Sequence, residues 1–457
     1  MLSFFSSALI AQITTTILPT DRQVIQQYQE VRPLPGKLND VPVFNSNSPE
    51  VLNNEGILLS TFPQASKKFP QAHLHQPLEG RFDVFTHHIS RPNDNKRILY
   101  QGLLIHNPTA KPITLRILQG ASFLTSADAP FIDLPSLVED PNGQVYSGPG
   151  SKLTSEILHR RRRQEEFPSV VVIPPYQSYM LYNFPMPTAS ARSTLMRVST
   201  TGPVYMANMS LYEVAEEPPK TTDKETAPVT YRAPKIEEWK RLLIQGNVAT
   251  PRDLPPTPLD RIGKENTIYS RVAGISVGSE WVANVVDGTN NRYLTIPKVR
   301  SAFSYPFSTV IAGTLGTRQV QSAPMLVRYP DTAYQAHGNY GVHYRLTFPL
   351  YNPFPETKKV TVSLQTPWKQ DQYADRLIFL DPLKGQVFFR GSIRVIVTDA
   401  TGEVQDRYFH IVQQQGQRGE PLATISIPPQ RIREVTLEFV YPPDATPPQV
   451  LTVTTTE

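Results

Sequence analysis

Apolar and polar residues alternate with a period of two through most of the chain, and the runs stop repeatedly at proline, asparagine and glycine. The segment R-F-D-V-F-T-H-H-I (Arg81–Ile89) sets Phe82, Val84 and Thr86 on one face and Asp83, Phe85 and His87 on the other. That periodicity predicts β-strands. One pattern occurs twice. Around Asn107-Pro108 the chain reads Y-Q-G-L-L-I-H-N-P-T-A-K-P-I-T-L-R-I, and around Asn352-Pro353 it reads H-Y-R-L-T-F-P-L-Y-N-P-F-P-E-T-K-K-V-T-V-S-L. Further along each copy comes a second shared mark, V-V-V-I-P-P-Y-Q from Val170 and T-I-S-I-P-P-Q-R from Thr424. Each Ile-Pro-Pro leads into another alternating run, M-L-Y-N-F or V-T-L-E-F. Two marks in the same order predict two related all-β units, immunoglobulin-like sandwiches arising by internal duplication.

The pattern divides the chain. Residues 1–11 include an apolar stretch of signal-peptide length, Leu2–Ala11, too short to span a bilayer. Residues 12–79 read as an extended, poorly ordered arm and short strands, 80–213 as the first sandwich, 214–261 as a proline-rich linker, 262–326 as a β-rich connecting region and 327–457 as the second sandwich. Within the linker Pro234 and Gly246 bracket one amphipathic helix. Its Ile236, Trp239, Leu242 and Leu243 share a face and are expected to dock on a neighbouring sandwich. The run from Ile393 to Val412 reads as a hairpin closed at Asp399–Gly402, and V-L-T-V-T-T as a closing strand.

Composition sharpens this picture. Proline accounts for 45 of 457 residues, about twice average usage, which disfavours long helices and suits loops and sheet edges. Cysteine is absent, so disulfides and thiolate metal sites are excluded. The net charge of +5 is mild for this length and permits contact with anionic polymers without requiring it. Beyond the leader no segment is apolar for the length of a transmembrane helix, so no membrane anchor is expected.

Candidate chemistry is sparse. His73, His75, His87, His88 and His106 crowd one stretch. If His73 and His75 lie on a strand they share a face, a geometry that can chelate a metal with help from the His87-His88 strand. Adjacent His87 and His88 must point to opposite faces, however, and no third-ligand spacing appears. Arg160, Arg161, Arg162 and Arg163 form a candidate anion-binding patch, but Glu156, Glu165 and Glu166 offset it, so a solvated loop or short helix is the plainer reading. Tyr146–Leu153, Y-S-G-P-G-S-K-L, reads as a turn and lacks the phosphate-loop spacing. No basic-aromatic interleaving suggests nucleic acid. There is no Gly-x-Ser-x-Gly elbow and no His-Glu-x-x-His, so no catalytic residue and no cofactor is assigned.

The strings V-R-P-L-P-G-K-L-N-D-V-P-V-F-N-S-N-S-P-E-V (Val31–Val51), E-G-R-F-D-V-F-T-H-H-I (Glu79–Ile89) and R-S-T-L-M-R-V-S-T-T-G-P-V-Y-M-A (Arg192–Ala207) resemble an uncharacterised family of exported cyanobacterial proteins, a domain of unknown function. The resemblance implies an exported protein of the periplasm, outer envelope or extracellular space and brings no catalytic residues. The expectation is a non-enzymatic structural or binding protein of the cell envelope, partnered by envelope polysaccharide or another envelope protein. The alternatives are a carbohydrate-binding or carbohydrate-active β-sandwich protein, using some of the 20 Tyr, 20 Phe and 3 Trp, and a metal-binding periplasmic protein using the histidines.

Overall fold

A computed structural model describes residues 13–14, 22–94, 97–160, 167–216, 229–264, 266–383, 385–398 and 402–457. The leader Leu2–Ala11 and Arg161–Arg163 lie outside these. In chain order the principal strands begin with β1 (Gln23–Tyr28), β2 (Pro42–Ser46) and β3 (Leu78–Ser90). β4 (Leu99–His106) and β5 (Ile113–Leu124) flank the first Asn-Pro turn, and β6 (Leu137–Glu139) follows. After helix α1 (Pro149–Leu158), β7 (Val170–Ile173) and β8 (Ser178–Met186) flank the first Ile-Pro-Pro, and β9 (Ala191–Tyr212) completes this half. Helix α2 (Ile236–Gln245) precedes β10 (Ala273–Val277), β11 (Glu280–Asn284) and β12 (Ser301–Phe307). β13 (His343–Tyr351) and β14 (Lys358–Gln365) flank the second Asn-Pro turn, and β15 (Arg376–Asp381) follows. Next come β16 (Val387–Thr398) and β17 (Val404–Gln414), then β18 (Pro421–Ile427) and β19 (Ile432–Val440) around the second Ile-Pro-Pro, and finally β20 (Gln449–Thr455). Among the described residues the protein is all-β apart from two short α-helices and two 3₁₀ turns. Among the described residues no helix is long and apolar enough to cross a membrane.

The two shared marks form the same hydrogen-bonded corner. β4 pairs with β8 and β5 with β7, and correspondingly β13 pairs with β19 and β14 with β18. Each turn asparagine is fully buried. Asn107 donates through Nδ2 to the carbonyls of Lys111 at 2.7 Å and Ile173 at 3.0 Å, and accepts at Oδ1 from the Thr109 N–H at 2.9 Å. Asn352 donates to Glu356 at 2.7 Å and Ile427 at 2.8 Å, and accepts from the Phe354 N–H at 2.9 Å. A short side chain carrying both a donor and an acceptor is therefore required at this spot. The surroundings differ. In the first half β9 runs past both members of the corner, pairing with β5 before Gly202, with β4 after it, and with β3 on both sides of it. In the second half β14 pairs with β20, which continues to β12.

Both halves are stitched by segments that the alternation assigned to arm and connector. β2 lies parallel to β3 and antiparallel to β10. β1, inside the stretch read as a poorly ordered arm, pairs along its length with β15. β6, from the first half, adds to β17 in the second. These strands close sheet edges that would otherwise leave unpaired N–H and C=O groups. The hairpin forms with Thr398 opposite Val404; of its expected turn, residues 399–401 lie outside the described set.

Two helices deserve comparison with expectation. α2 docks as its pattern required. Trp239 and Leu243 are buried, and with the partly buried Ile236 and Leu242 they pack on Ile57, Phe62, Leu104, Ala207 and Met209. Gly102 makes room: a Cβ there would lie 2.8 Å from the Trp239 ring. Gly246 stops this helix at φ −85°, and a Cβ there would lie 2.6 Å from the Leu242 carbonyl oxygen, so close contact explains the glycine. α1 corrects the reading of Gly148-Pro149-Gly150 as a turn. Pro149 takes the first helical position, where its missing N–H costs nothing. Leu153 and Ile157 then pack against Phe85, Phe123 and Leu195. β3 is consequently buried on both faces: Phe82 and Val84 face one cluster, Phe85 the other.

Candidate functional site

Charged residues in strands that are otherwise buried converge where the two halves meet. The first half contributes β5, β9 and the C-terminal end of α1; facing them are β11, β13 and β19. Between them lies an open cleft of about 390 Å³ lined by Gln119, Ile157, Leu158, Arg160, Arg197, Glu280, Val282, His343, Arg345 and Glu438. Three arginines and a histidine face two glutamates.

Glu438 is the structural centre of the far wall. It is 2% exposed and accepts from His343 Nε2 at 3.0 Å and Arg394 Nη1 at 2.9 Å. Arg345 Nη1 and Arg160 Nη2 stand 4.0 and 3.7 Å from its oxygens. Burial pushes the carboxyl pKa up, but hydrogen bonds and charge from His343 and Arg394 outweigh it and hold the group down at about 2. A carboxylate held there is a counter-ion and does not donate protons at neutral pH. Arg394 in turn grips Asp406 with two bonds of 2.8 and 2.7 Å.

The near wall is different. Arg197 projects from β9 with its side chain 12% exposed. Its Nε and Nη2 are buried and make no hydrogen bond. Its acid neighbours stand off: Asp83 Oδ2 is 4.0 Å from Nε and Glu280 Oε1 is 3.9 Å from Nη1. Asp83 bonds instead to Arg81 through its other oxygen. Burial draws the Arg197 pKa below the usual arginine value, opposed by Asp83 and Glu280. A buried guanidinium with unused donors is costly unless something supplies acceptors. Arg160, 64% exposed, stands at the rim and is followed directly in sequence by Arg161–Arg163. Of its flanking acids, Glu156 pairs with Lys152 at 3.2 Å.

The histidines are not gathered. His73 ends a 3₁₀ turn, Pro70–Ala72, and His75 has a φ of +52°, so they do not share a strand face as expected; the turn following Pro70 breaks the extended geometry. His73 Nδ1 bonds Ser60 Oγ at 2.8 Å, and His106 Nδ1 bonds Ser178 Oγ at 3.0 Å. His87 and His88 do point to opposite faces of β3. His87 Nδ1 meets Ser193 Oγ at 2.8 Å. His88 Nδ1 donates to the Pro49 carbonyl at 2.8 Å, leaving Nε2 to accept from Asn208 Nδ2 at 3.2 Å. Burial depresses His73, His87 and His88 to about 4, 3 and 4, so all three are neutral at pH 7. Among the described residues no three His, Asp or Glu side chains converge as a metal site.

The sequence pointed to one residue of this cleft, Arg160. Arg197, Glu280, His343, Arg345 and Glu438 come from four separate strands. Their signal was a charge inside an alternating run, as in T-L-M-R-V and V-T-L-E-F.

Solved structures with some likeness include procruciferin, an 11S globulin of Brassica napus (10% identity, 92% of this chain and 85% of that one, TM-score 0.11). Others are the 11S allergen of Cocos nucifera (10% identity, 89% and 90%, TM-score 0.09) and the 11S globulin of Wrightia tinctoria (10% identity, 98% and 87%, TM-score 0.10). Likeness at this level carries no argument about fold or function. No curated protein matches the chain. The family described as protein of unknown function DUF3370 matches residues 29–455, which include the whole cleft, and the chain belongs to that family.

Proposed function

We propose that this is an exported, non-enzymatic binding protein of the cell envelope whose cleft holds a carboxylate-bearing segment of an acidic polysaccharide. The observation that carries the reading is Arg197, a mostly buried guanidinium at the cleft with two donor atoms unused and both acids held off at 3.9–4.0 Å. A ligand carboxylate that takes the place of these distant acids would meet the guanidinium with paired, charge-assisted bonds. Arg345 and Arg160 extend the positive surface toward solvent, and three more arginines follow Arg160 in sequence. Glu438, charged and saturated by His343 and Arg394, orients this wall. The apolar Leu2–Ala11 motivates export, and the matching Asn-Pro and Ile-Pro-Pro corners motivate the view that each half descends from one immunoglobulin-like unit.

The test is calorimetric titration of the full chain with oligogalacturonate, and with a neutral dextran oligomer of equal length. The acidic oligomer is expected to bind and the neutral one not. Arg197→Gln should weaken binding roughly tenfold to a hundredfold, the worth of charged hydrogen bonds. Arg345→Gln, at a more exposed position, should weaken it less and mainly at low salt. Equal binding of both oligomers, or an unchanged affinity in Arg197→Gln, contradicts the proposal.

A further inference from the structure

A second cavity lies away from the cleft, where residues 45–47 meet 269–272, 336–340 and Lys369. Water centres have about 60 Å³ within it, room for several waters or a molecule of a few heavy atoms. Its polar lining is poorly satisfied. Asn45 Oδ1, Asn47 Oδ1 and Ser270 Oγ are buried there without a hydrogen-bond partner. Lys369 enters the same space and is 8% exposed. Gly313 admits its stem, since a Cβ at 313 would lie 2.6 Å from Lys369 Cδ.

The surroundings of the amine are specific. Nζ lies 3.4 Å from the Tyr269 hydroxyl and 4.9 Å from the centre of that ring. The Tyr269 hydroxyl donates to the Ile311 carbonyl, so its oxygen accepts one N–H from Lys369. Asp371 does not take the amine as a partner: its Oδ1 receives the Thr314 N–H at 2.7 Å and the Thr314 hydroxyl at 2.6 Å. Arg271, which also lines the cavity, is paired with Glu50 at 2.8 Å.

We propose that Lys369 is a carbonyl-binding amine that forms an imine with a small hydroxyaldehyde, a compound of the glycolaldehyde class. The neutral Nζ lone pair attacks the carbonyl carbon and makes the C–N bond. The carbonyl oxygen takes up a proton shed by the attacking nitrogen, giving a carbinolamine. That hydroxyl then takes the second proton of the nitrogen and leaves as water, breaking the C–O bond and forming C=N, without any oxidant or reductant. The ligand's own hydroxyl donates to Asn45 Oδ1, Asn47 Oδ1 or Ser270 Oγ, the acceptors left unused. Burial lowers the Lys369 pKa to about 7, with Asp371 opposing, so a large share is neutral at physiological pH. The other titratable groups here favour that state or are silent. His337 is depressed to about 4 by burial and by Lys369 and carries no charge, Arg271 is held by Glu50, and burial raises Tyr340.

The experiment treats the full chain with glycolaldehyde and cyanoborohydride, which traps the imine as a stable amine, and maps adducts by peptide mass spectrometry from pH 6 to 9. Exposed Lys68 and Lys359 are internal controls. At pH 7.5 an ordinary lysine is only about 0.1% neutral. Lys369 should therefore label at least roughly tenfold faster than the controls, and its rate should level off above about pH 7 instead of rising through pH 9. Because this comparison is made within the unaltered protein, it does not depend on a variant folding. Lys369→Arg should abolish the fast label and leave the controls unchanged. Labelling of Lys369 no faster than Lys359, or a rate that climbs in parallel to pH 9, overturns the proposal.

Discussion

Replacing Glu438 by glutamine tests the far wall of the cleft quantitatively. The glutamine keeps the shape and removes the charge that His343 and Arg394 approach at 3.0 and 2.9 Å. The magnitude follows from the ionisation. Glu438 falls from an ordinary 4.5 to about 2 despite burial, because the His343 and Arg394 bonds win. At roughly 1.4 kcal/mol per pKa unit this is about 3 kcal/mol of stability at pH 7. Breaking one partner out of a buried ion pair independently suggests about 3–5 kcal/mol. The sign is fixed by the direction. A depressed acid stabilises the folded state above its unfolded pKa, and that stability is lost as pH falls through the folded one. The window runs from about 4.5 down to about 2. Urea titrations of both proteins at pH 7, 5, 4 and 3 should give a difference of about 3 kcal/mol at pH 7, shrinking to roughly half by pH 3. Asp444, pushed up to about 6 by burial, is present in both proteins and cancels in the difference. A difference near zero at pH 7, or one that does not change between pH 5 and 3, would refute the reasoning.

Other expectations are more local. Trp239→Ala should cost about 3–5 kcal/mol in urea unfolding, because the fully buried ring sits against Gly102 within the α2 cluster; a loss below 1 kcal/mol would mean the helix is not held by its tryptophan. Asn107→Ala and Asn352→Ala should each cost about 2–3 kcal/mol, since each strands buried carbonyls of the same corner. A large cost at one and none at the other would show the corners to be energetically unlike. Mass spectrometry of protein from the producing cell should find the mature chain starting near Gln12; intact Met1 in the cytosol contradicts export.

How much of this was legible depends on how local the signal was. The Asn-Pro and Ile-Pro-Pro marks identified the corners because one buried asparagine ties together residues within two short segments. α2 was legible from four apolar residues at helical spacing. α1 was not: Gly-Pro-Gly is a common turn signal, and only the packing of Leu153 and Ile157 on Phe85 shows the helix to be required. β1 and β2 were hard to place because their partners, β15 and β10, lie hundreds of residues away, and alternation carries no information about pairing. The cleft was invisible for the same reason. Arg197 and Glu438 each read as a polar position in an ordinary strand, and only the meeting of two sheets makes a site of them. The histidines show the converse, a conspicuous cluster in sequence that the fold disperses into separate buried hydrogen bonds.

The most direct measurement of the central claim is a crystal structure of the full chain with oligogalacturonate. The account predicts a ligand carboxylate in the cleft, within hydrogen-bonding distance of the Arg197 guanidinium, with Arg345 along its solvent side and Glu438 still bound to His343 and Arg394. Ligand bound elsewhere, with the Arg197 donors still unsatisfied at saturating concentration, would contradict it.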